Sequence, residues 1–306
     1  MPETFNFQIT PIPPYRLDLT CWALRRSPAN SIDVWNGSYY NRIFTLNDMS
    51  TEVTAEVTVE QTGPAEKPVL RVGVSAPASS PFTRSLVDSR IRFMLGTDID
   101  LSGFYKVATR HKQLKHLVAE FSGLKPPRFA SLFEAVVNGI CFQQLSLAAG
   151  TALLNRFTGF GPVHNGRHAF PRPGDLAEIK VEKLKKLGFS TNKSIALIAL
   201  SRSIIYEGLD LESLDVLSDE EVIEKLDAIR GVGPWTAAYV LLRGMGRLGV
   251  FPEKDVGASR NLNRYFGFEK ALDDSEINDF LSRFHPYEGM IYFHLLLKNL
   301  TERGVI

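Results

Sequence analysis

The sequence predicts an α+β protein, a small antiparallel-sheet region followed by a larger all-helical one. Three observations predict it. The N-terminal part alternates β-branched or aromatic residues with polar ones, the period of a half-buried strand. From about Ser85 onward, apolar residues instead recur at three- and four-residue spacing, the period of amphipathic helices. Composition is that of an ordinary globular chain, 44% hydrophobic and 23% charged over 306 residues, with no apolar run long enough to cross a bilayer.

Taken in order, PPYRLDLTCWALRR reads as a strand leading into a helix, and GSYYNRIFTL (residues 37–46) as a strand. TEVTAEVTVEQ (51–61) and VLRVGVSA (69–76) are strands, joined by a turn over Gly63–Pro64 to Lys67–Pro68. The helical segments are SLVDSRIRFML, LKHLVAEF, SLFEAVVNGICFQQLSLAAGTALLNRF and KSIALIALSRSIIY, with loops such as GFGPVHNGRHAFPRPGD between them. There is no internal repeat or low-complexity tract. The change of period places a boundary between a sheet domain, 1–84, and a helical domain, 85–306.

Several function classes drop out early. Cys21 and Cys141 are the two cysteines, too few for a disulfide framework, an iron–sulfur cluster or a structural zinc. The start, MPETFNFQITPIPP, lacks the basic and apolar regions of a secretory signal. A cytoplasmic protein is therefore expected, nucleoid-associated in a prokaryote, with no membrane partner. The formal net charge of +1 gives no whole-chain sign of a polyanion partner. Such a partner has to be met by a local patch or by backbone.

The backbone route is written into residues 218–246. SDEEVIEKLDAIR opens with a capping box, Ser218 and Glu221, and carries Val222, Leu226 and Ile229 on one face. Then come Gly231, Val232 and Gly233, with Pro234 at the first turn of a second helix, where its missing N–H costs nothing. Helix, glycine hairpin, helix aims backbone N–H groups and a helix N-terminus at one point, where a DNA phosphate can sit without basic side chains. A plain corner between two packed helices has the same pattern. Further on, Asp255 precedes VGASRNLNRYF as a helix N-cap would.

A hairpin, a second helix, and an aspartate in a short F-P-x-x-D-x-G loop together resemble the helix-hairpin-helix DNA glycosylase superfamily. PPYRLDLTCWALRR, GSYYNRIF, FEAVVNGICFQQLS, LKKLGFSTNKSIALIALS and PYEGMIYFHLLL are similar to segments of its 3-methyladenine DNA glycosylase II (AlkA) branch, over nearly the whole chain. The resemblance implies an N-terminal sheet domain, a helical glycosylase domain, and a hydrolase of N-glycosyl bonds acting in base excision repair on damaged double-stranded DNA. Alkylated purines of the 3-methyladenine and 7-methylguanine type are the expected substrates. A base is flipped from the stack and its bond to the sugar hydrolysed, leaving an abasic site.

The catalytic aspartate of the family matches Asp255. A charged carboxylate near the anomeric carbon stabilises an oxocarbenium ion or orients the attacking water, and helix N–H donors favour its charged form. The Schiff-base lysine of bifunctional members matches Trp235, so water is the expected nucleophile and strand cleavage by lyase chemistry is not expected. Lys254, beside Asp255, is read as facing solvent or phosphate. Trp235 and Tyr239, four apart, match aromatic pocket residues, which attract a cationic base; helical aromatic pairs also pack in cores. Trp22 is a further pocket candidate. Leu296 stands where the best-known member has a stacking tryptophan, which leaves neutral lesions such as hypoxanthine open; Tyr292 or Phe293 would have to compensate.

For the gap that flipping leaves, the family counterpart of GLKPPRF supplies an apolar wedge, here Leu124 or Pro126. Gln143 and Gln144 match glutamines near that gap, or cap a neighbouring turn. The lysines of KVEKLKKLGFSTNKS meet either phosphate or solvent, and His294 reads as a core histidine. No organic cofactor is implied; Gly231, Val232 and Gly233 are expected to meet DNA, and the resemblance implies a monovalent cation, Na+ or K+, held by backbone carbonyls of the hairpin that the sequence does not identify. A monomer is expected. Two alternatives stay open: a glycosylase for deaminated or oxidised bases (hypoxanthine, 8-oxoguanine), and a DNA-damage-binding protein without turnover.

Overall fold

The computed structural model describes residues 2–48, 51–77, 80–252 and 254–306. Its N-terminal part is a five-stranded antiparallel sheet, in the order β1-β5-β4-β3-β2. The strands are β1 (Glu3–Ile9), β2 (Val34–Trp35), β3 (Tyr39–Asp48), β4 (Thr51–Thr62) and β5 (Val69–Ala76). Period two sets the register: Val53, Ala55, Val57 and Val59 of β4 and Leu70, Val72, Val74 and Ala76 of β5 are all buried. Val57 lies opposite both Arg42 and Val74. The sequence did not announce β1, a short strand whose partner β5 lies far along the chain.

Helix α1 (Leu17–Arg25) follows directly on an irregular run. The strand expected ahead of it does not form, because Pro13 and Pro14 offer no N–H to a ladder. Next come α2 (Pro81–Leu95), α3 (Ser102–Ala108), α4 (Lys112–Glu120), α5 (Leu132–Phe142) and α6 (Leu147–Phe157). A two-stranded ribbon, β6 (Val163–His164) with β7 (Arg167–His168), precedes α7 (Pro173–Leu176), α8 (Val181–Lys186) and α9 (Thr191–Tyr206). Then come α10 (Asp219–Asp227) and α11 (Pro234–Val240), which runs on as a π-helical turn over Leu241–Met245. The chain closes with α12 (Val256–Phe266), α13 (Asp274–Ser282) and α14 (Glu288–Glu302). The boundary expected after residue 84 falls inside α2, whose N-cap is Ser80.

Two apolar clusters hold this together. One runs from the sheet through α2, α5, α6 and α9 to α11; the other joins α3 and α4 to α12, α13 and α14. Helix α1 serves both, with Leu17, Cys21 and Leu24 in the first cluster and Leu19 and Ala23 in the second. A buried ion group ties sheet to helices. Arg42 of β3 donates to Asp33 at 2.7 Å and to Glu134 of α5 at 2.5 Å, and Tyr40 donates to the same Asp33 oxygen.

Helix α5 positions the hairpin helix. At Gly139 it approaches α11 so closely that a Cβ would lie 2.6 Å from the Thr236 methyl. One turn-pair away, a Cβ on Gly244 would stand 2.8 Å from that of Ala135. Small residues at these crossings let the two backbones touch.

Candidate active site

The hairpin forms as its chemistry dictates. Ser218 caps α10, its hydroxyl accepting from the Glu221 N–H at 3.3 Å while the Glu221 carboxylate accepts from the Ser218 N–H at 2.9 Å. Val222 and Leu226 are buried, Ile229 packs on the core, and Val232 plugs the turn. Gly231 has a φ of +82°, and a Cβ there would stand 2.6 Å from that of Ala196. Gly233 caps α11 in extended backbone with open space around it. Two requirements therefore fall on Gly231 and neither on Gly233. Gly231→Ala is expected to lower unfolding free energy by about 2 kcal/mol. Gly233→Ala, which only exchanges one N-cap residue for a poorer one, should cost less, about 0.5–1 kcal/mol. Urea denaturation of the two variants checks this, and equal losses would contradict it.

Asp255 is the N-cap of α12. Its Oδ1 accepts from Gly257 N at 2.9 Å and Ala258 N at 3.0 Å, while Oδ2 carries no hydrogen bond among the described residues. Buried Phe251 and Pro252 anchor the loop, and the Pro252 carbonyl accepts from Asp255 N at 2.8 Å. One carboxylate oxygen is thus fixed and the other left free on a half-buried side chain. Lys254 is exposed, as expected.

An aromatic and cationic wall stands nearby. Trp235 stacks on Tyr239 with centroids 5.3 Å apart and planes at 24°. Trp235 is half-buried, whereas Tyr239 is only 1% exposed and forms the floor behind it, its hydroxyl buried without a hydrogen-bond partner among the described residues. Tyr239 also faces two guanidinium groups, Arg26 and Arg243, each 5.7 Å from its ring centroid. Arg243 sits on the π-helical turn, fully buried, and donates to the carbonyls of Ala23 and Leu24 at the C-terminal end of α1. Tyr292 of α14 completes the group. Burial pushes its phenol up to about 12, with Arg243, Asp255, Tyr239 and Arg26 around it, and its ring meets Phe251 edge-on at 6.2 Å. Of the two rings proposed to compensate for Leu296, Tyr292 is therefore the one at the site. Phe293 is buried against Arg243. Leu296 is half-buried one turn beyond Tyr292, and Trp22 is half-buried on α1 under the Arg25 guanidinium.

The wedge expectation is corrected. Leu124 is completely buried and Pro126 is buried as well. Their loop is tied down: the Gly123 carbonyl accepts from Arg16 N, Lys125 N donates to Thr20, and the Lys125 ammonium donates to the Ile99 carbonyl. The exposed candidate is instead the break between α5 and α6, where Gln144, Leu145 and Ser146 reach the surface and Gln144 has a φ of +55°. The long helical run read from sequence is split there. Gln143 clips this break to the hairpin, donating to the Gly231 carbonyl at 2.8 Å and to Thr236 at 2.9 Å. Lys193 braces the same end of α5 by donating to the carbonyls of Cys141 and Gln143. That lysine is engaged with protein. Lys225, Arg230, Lys254 and Arg260, around the hairpin and Asp255, are exposed and make no side-chain bond among the described residues.

His294 is a core histidine, as expected. Its Nδ1 donates to the Met290 carbonyl at 2.7 Å, its ring lies against Phe104, and Nε2 is buried without a hydrogen-bond partner among the described residues. Burial pushes its imidazole down to about 4. The unfolded chain protonates it near pH ~6.5, so its contribution is present above that pH and lost as pH falls towards the folded value. Stability should drop by up to about 3 kcal/mol between those limits. Urea denaturation against pH, beside His294→Gln, isolates this share: a variant losing as much as wild type would contradict it.

A cleft of about 290 Å³ lies at the opposite end of α5, lined among others by Arg42, Phe44, Arg90, Glu134, Phe170 and Glu212. No group of His, Cys, Asp or Glu among the described residues is arranged to hold a metal ion. No helix among them is long and apolar enough to cross a membrane.

A family model described as HhH-GPD superfamily base excision DNA repair protein matches residues 137–286, which run from the middle of α5 to just past α13 and include the hairpin and Asp255. A Schizosaccharomyces pombe protein named DNA-3-methyladenine glycosylase 1 is 31% identical over 170 residues, 55% of this chain and 71% of that protein. An Escherichia coli protein named DNA-3-methyladenine glycosylase 2 is 24% identical over 300 residues, 95% of each chain. The chain matches about half the length of two Bacillus subtilis relatives, 51% and 59%. Among solved structures, a 3-methyladenine DNA glycosylase from Archaeoglobus fulgidus superposes with a TM-score of 0.82 at 22% identity, covering 96% of this chain and 98% of that one. At that identity the likeness is one of fold.

Proposed function

The chain belongs to the HhH-GPD superfamily of base excision DNA repair proteins, and within it we propose a monofunctional DNA glycosylase of the 3-methyladenine II type. Its substrates are alkylated purines in double-stranded DNA. The observation that carries this reading is Asp255, with Oδ1 fixed by two helix N–H donors, Oδ2 free of hydrogen bonds among the described residues, and the buried Tyr292 among its neighbours. A flipped base enters against Trp235 while the sugar lies towards Asp255. As the C1′–N9 bond breaks, its electron pair leaves with the base and positive charge grows on the sugar. The carboxylate stabilises that charge and orients the water that attacks C1′. Trp235, at the position of a Schiff-base lysine, has no amine to offer, so the product is an intact strand with an abasic site.

The hairpin N–H groups and the unpaired Lys225, Arg230, Lys254 and Arg260 supply the phosphate contacts. The carbonyls of Ile229 and Gly231 each accept one hydrogen bond and keep a second lone pair, a set of hard oxygens suited to a monovalent cation. Such a cation would add positive charge beside a phosphate. Gln144, already in left-handed backbone at an exposed turn, or Leu145 beside it, fills the gap that the flipped base leaves.

The test is base release from duplex treated with a methylating agent, beside duplexes holding 8-oxoguanine. Release of 3-methyladenine and 7-methylguanine, without 8-oxoguanine, is the expected result. Tight binding with no base released would leave a DNA-binding protein without turnover.

A further inference from the structure

The exposed turn between α5 and α6 is held from behind by two side chains, one of which ties it to the hairpin. Gln143 ends α5, its own N–H still bonded to the Gly139 carbonyl. Its side-chain amide gives both N–H groups to the hairpin unit, one to the Gly231 carbonyl at 2.8 Å and one to the Thr236 hydroxyl at 2.9 Å. A carbonyl can only accept, which fixes the amide nitrogen on that side. Thr236, 1% exposed in the first turn of α11, lays its methyl against Gly139. Lys193, in the first turn of α9, donates to the carbonyls of Cys141 and Gln143 at 3.0 and 2.8 Å. Beyond the clip, Gln144 in left-handed backbone makes no side-chain hydrogen bond among the described residues, and Leu145 is 41% exposed.

On the reading given above, the two ends of this clip meet different parts of a duplex. The hairpin takes the phosphate, and the turn takes the space in the stack. Removing a base from the stack is uphill, and an inserted side chain offsets that only where it reaches the right depth. That depth is the distance between hairpin and turn, which lie far apart along the chain. Packing of α5 on α11 at Gly139 sets it coarsely. The Gln143 clip sets it at the turn itself, one residue before Gln144.

We infer that Gln143 is a positioning residue for base eversion. It holds the Gln144–Leu145 turn at a fixed depth relative to the phosphate on the hairpin, so that gripping the backbone and filling the gap are one rigid-body step. This rests on the glycosylase reading and on the assignment of that turn to the gap. Gln143 itself touches neither sugar nor base. Its effect falls on the cost of eversion and leaves the hydrolysis at Asp255 alone. A lesion that faces no partner base costs less to evert, so its release depends on the clip less. Methionine in place of Gln143 keeps the length and loses both donors. Valine in place of Thr236 keeps the methyl and loses one acceptor.

The experiment compares single-turnover release of 7-methylguanine from two duplexes that differ only in what faces the lesion, cytosine or a tetrahydrofuran abasic-site analogue. Wild type, Gln143→Met and Thr236→Val are measured, with thermal melting as the check on folding. In Gln143→Met the rate with cytosine opposite should fall by at least roughly tenfold, and the rate with the analogue opposite by less than about threefold. Thr236→Val, which leaves the bond to Gly231, should lower the ratio of the two rates by less. If Gln143→Met does not fold, Thr236→Val alone decides: a lowered ratio supports the inference. An unchanged ratio in a folded variant overturns it, whether both rates stand or both fall together, because a merely structural loss acts on the two duplexes alike. A Gln144→Ala, Leu145→Ala double variant with the wild-type ratio overturns the assignment of the turn to the gap, and the inference with it. Either outcome leaves the glycosylase reading standing. A wild type that releases no base from either duplex overturns that reading, and this inference with it.

Discussion

Asp255→Asn is expected to lower single-turnover base release by about a thousandfold or more while leaving the protein folded and able to bind abasic DNA. The substitution separates the cap seen in the structure from the charge that we propose acts on the sugar. Asparagine is as good an N-cap as aspartate, so its side-chain oxygen keeps the bonds from Gly257 and Ala258. Only the charge is lost, and with it the stabilisation of positive charge at C1′. Removing one preorganised electrostatic group from an active site costs about 10²–10³ in rate, and a full charge at the reacting carbon is worth at least that. Unfolding free energy should change by less than about 1 kcal/mol. Asp255→Ala would lose both roles, adding a capping loss of about 1 kcal/mol. A normally active Asp255→Asn enzyme would mean that the carboxylate is only a cap.

Arg42→Met should give the largest loss of stability among single substitutions outside the site, about 3–5 kcal/mol. Arg42 answers two carboxylates, Asp33 and Glu134, and all three side chains are almost wholly buried. Methionine fills much of the volume but leaves two acids in the core without the cation that hydrogen-bonds them, Arg90 and Arg25 acting on them only from a distance. The cost is thus one of stranded charge rather than of lost attraction. Denaturant unfolding measures it, and Arg42→Met combined with Glu134→Gln should recover part of the loss. A loss under about 1 kcal/mol would show that water or a neighbour answers these acids. Because Glu134 sits in the first turn of α5, this ion group also fixes the helix whose other end carries Gln143 and Gln144.

How far these features were legible in the sequence depended on distance along the chain. The Ser218 and Glu221 box, Pro234 at the first turn of α11 and Asp255 at the N-cap of α12 are local patterns, and each stands in the structure where its spacing put it. Strands β4 and β5 were equally plain, because small apolar residues alternate with Thr and Glu in β4 and with Arg, Gly and Ser in β5 over about two turns of the pleat or more. Strand β1 was missed for the opposite reason: its seven residues read as a strand only once β5 is there to pair with.

The site was legible in part. Trp235 and Tyr239 do stack, but the sequence treated them as equals, whereas tertiary packing puts Tyr239 in the floor and leaves Trp235 the accessible ring. Leu124 and Pro126 looked free in a proline-rich loop. Hydrogen bonds to Arg16, Thr20 and Ile99, all distant in sequence, pin that loop inward. The break after Gln143 was hidden because helical spacing continues through Leu145 and Leu147 on both sides of it. Its one signal was the pair of glutamines, too polar for the buried face on which the period places them. Arg26 left less trace. In RRS it reads as one more surface arginine, and only the left-handed end of α1 turns it under the Phe142 and Tyr239 rings.

The central claim is hydrolysis of an N-glycosyl bond by water, with Asp255 in charge of the sugar and no amine at Trp235. It is tested most directly by following one lesion-bearing duplex through a single turnover and counting free base, strand breaks before and after hot alkali, and protein cross-linked by borohydride. The account predicts one free base per abasic site, breaks that appear only after alkali, and no cross-link. Breaks formed in step with base release, or a borohydride-trapped protein–DNA adduct, would contradict it by showing that an amine of this chain attacks C1′.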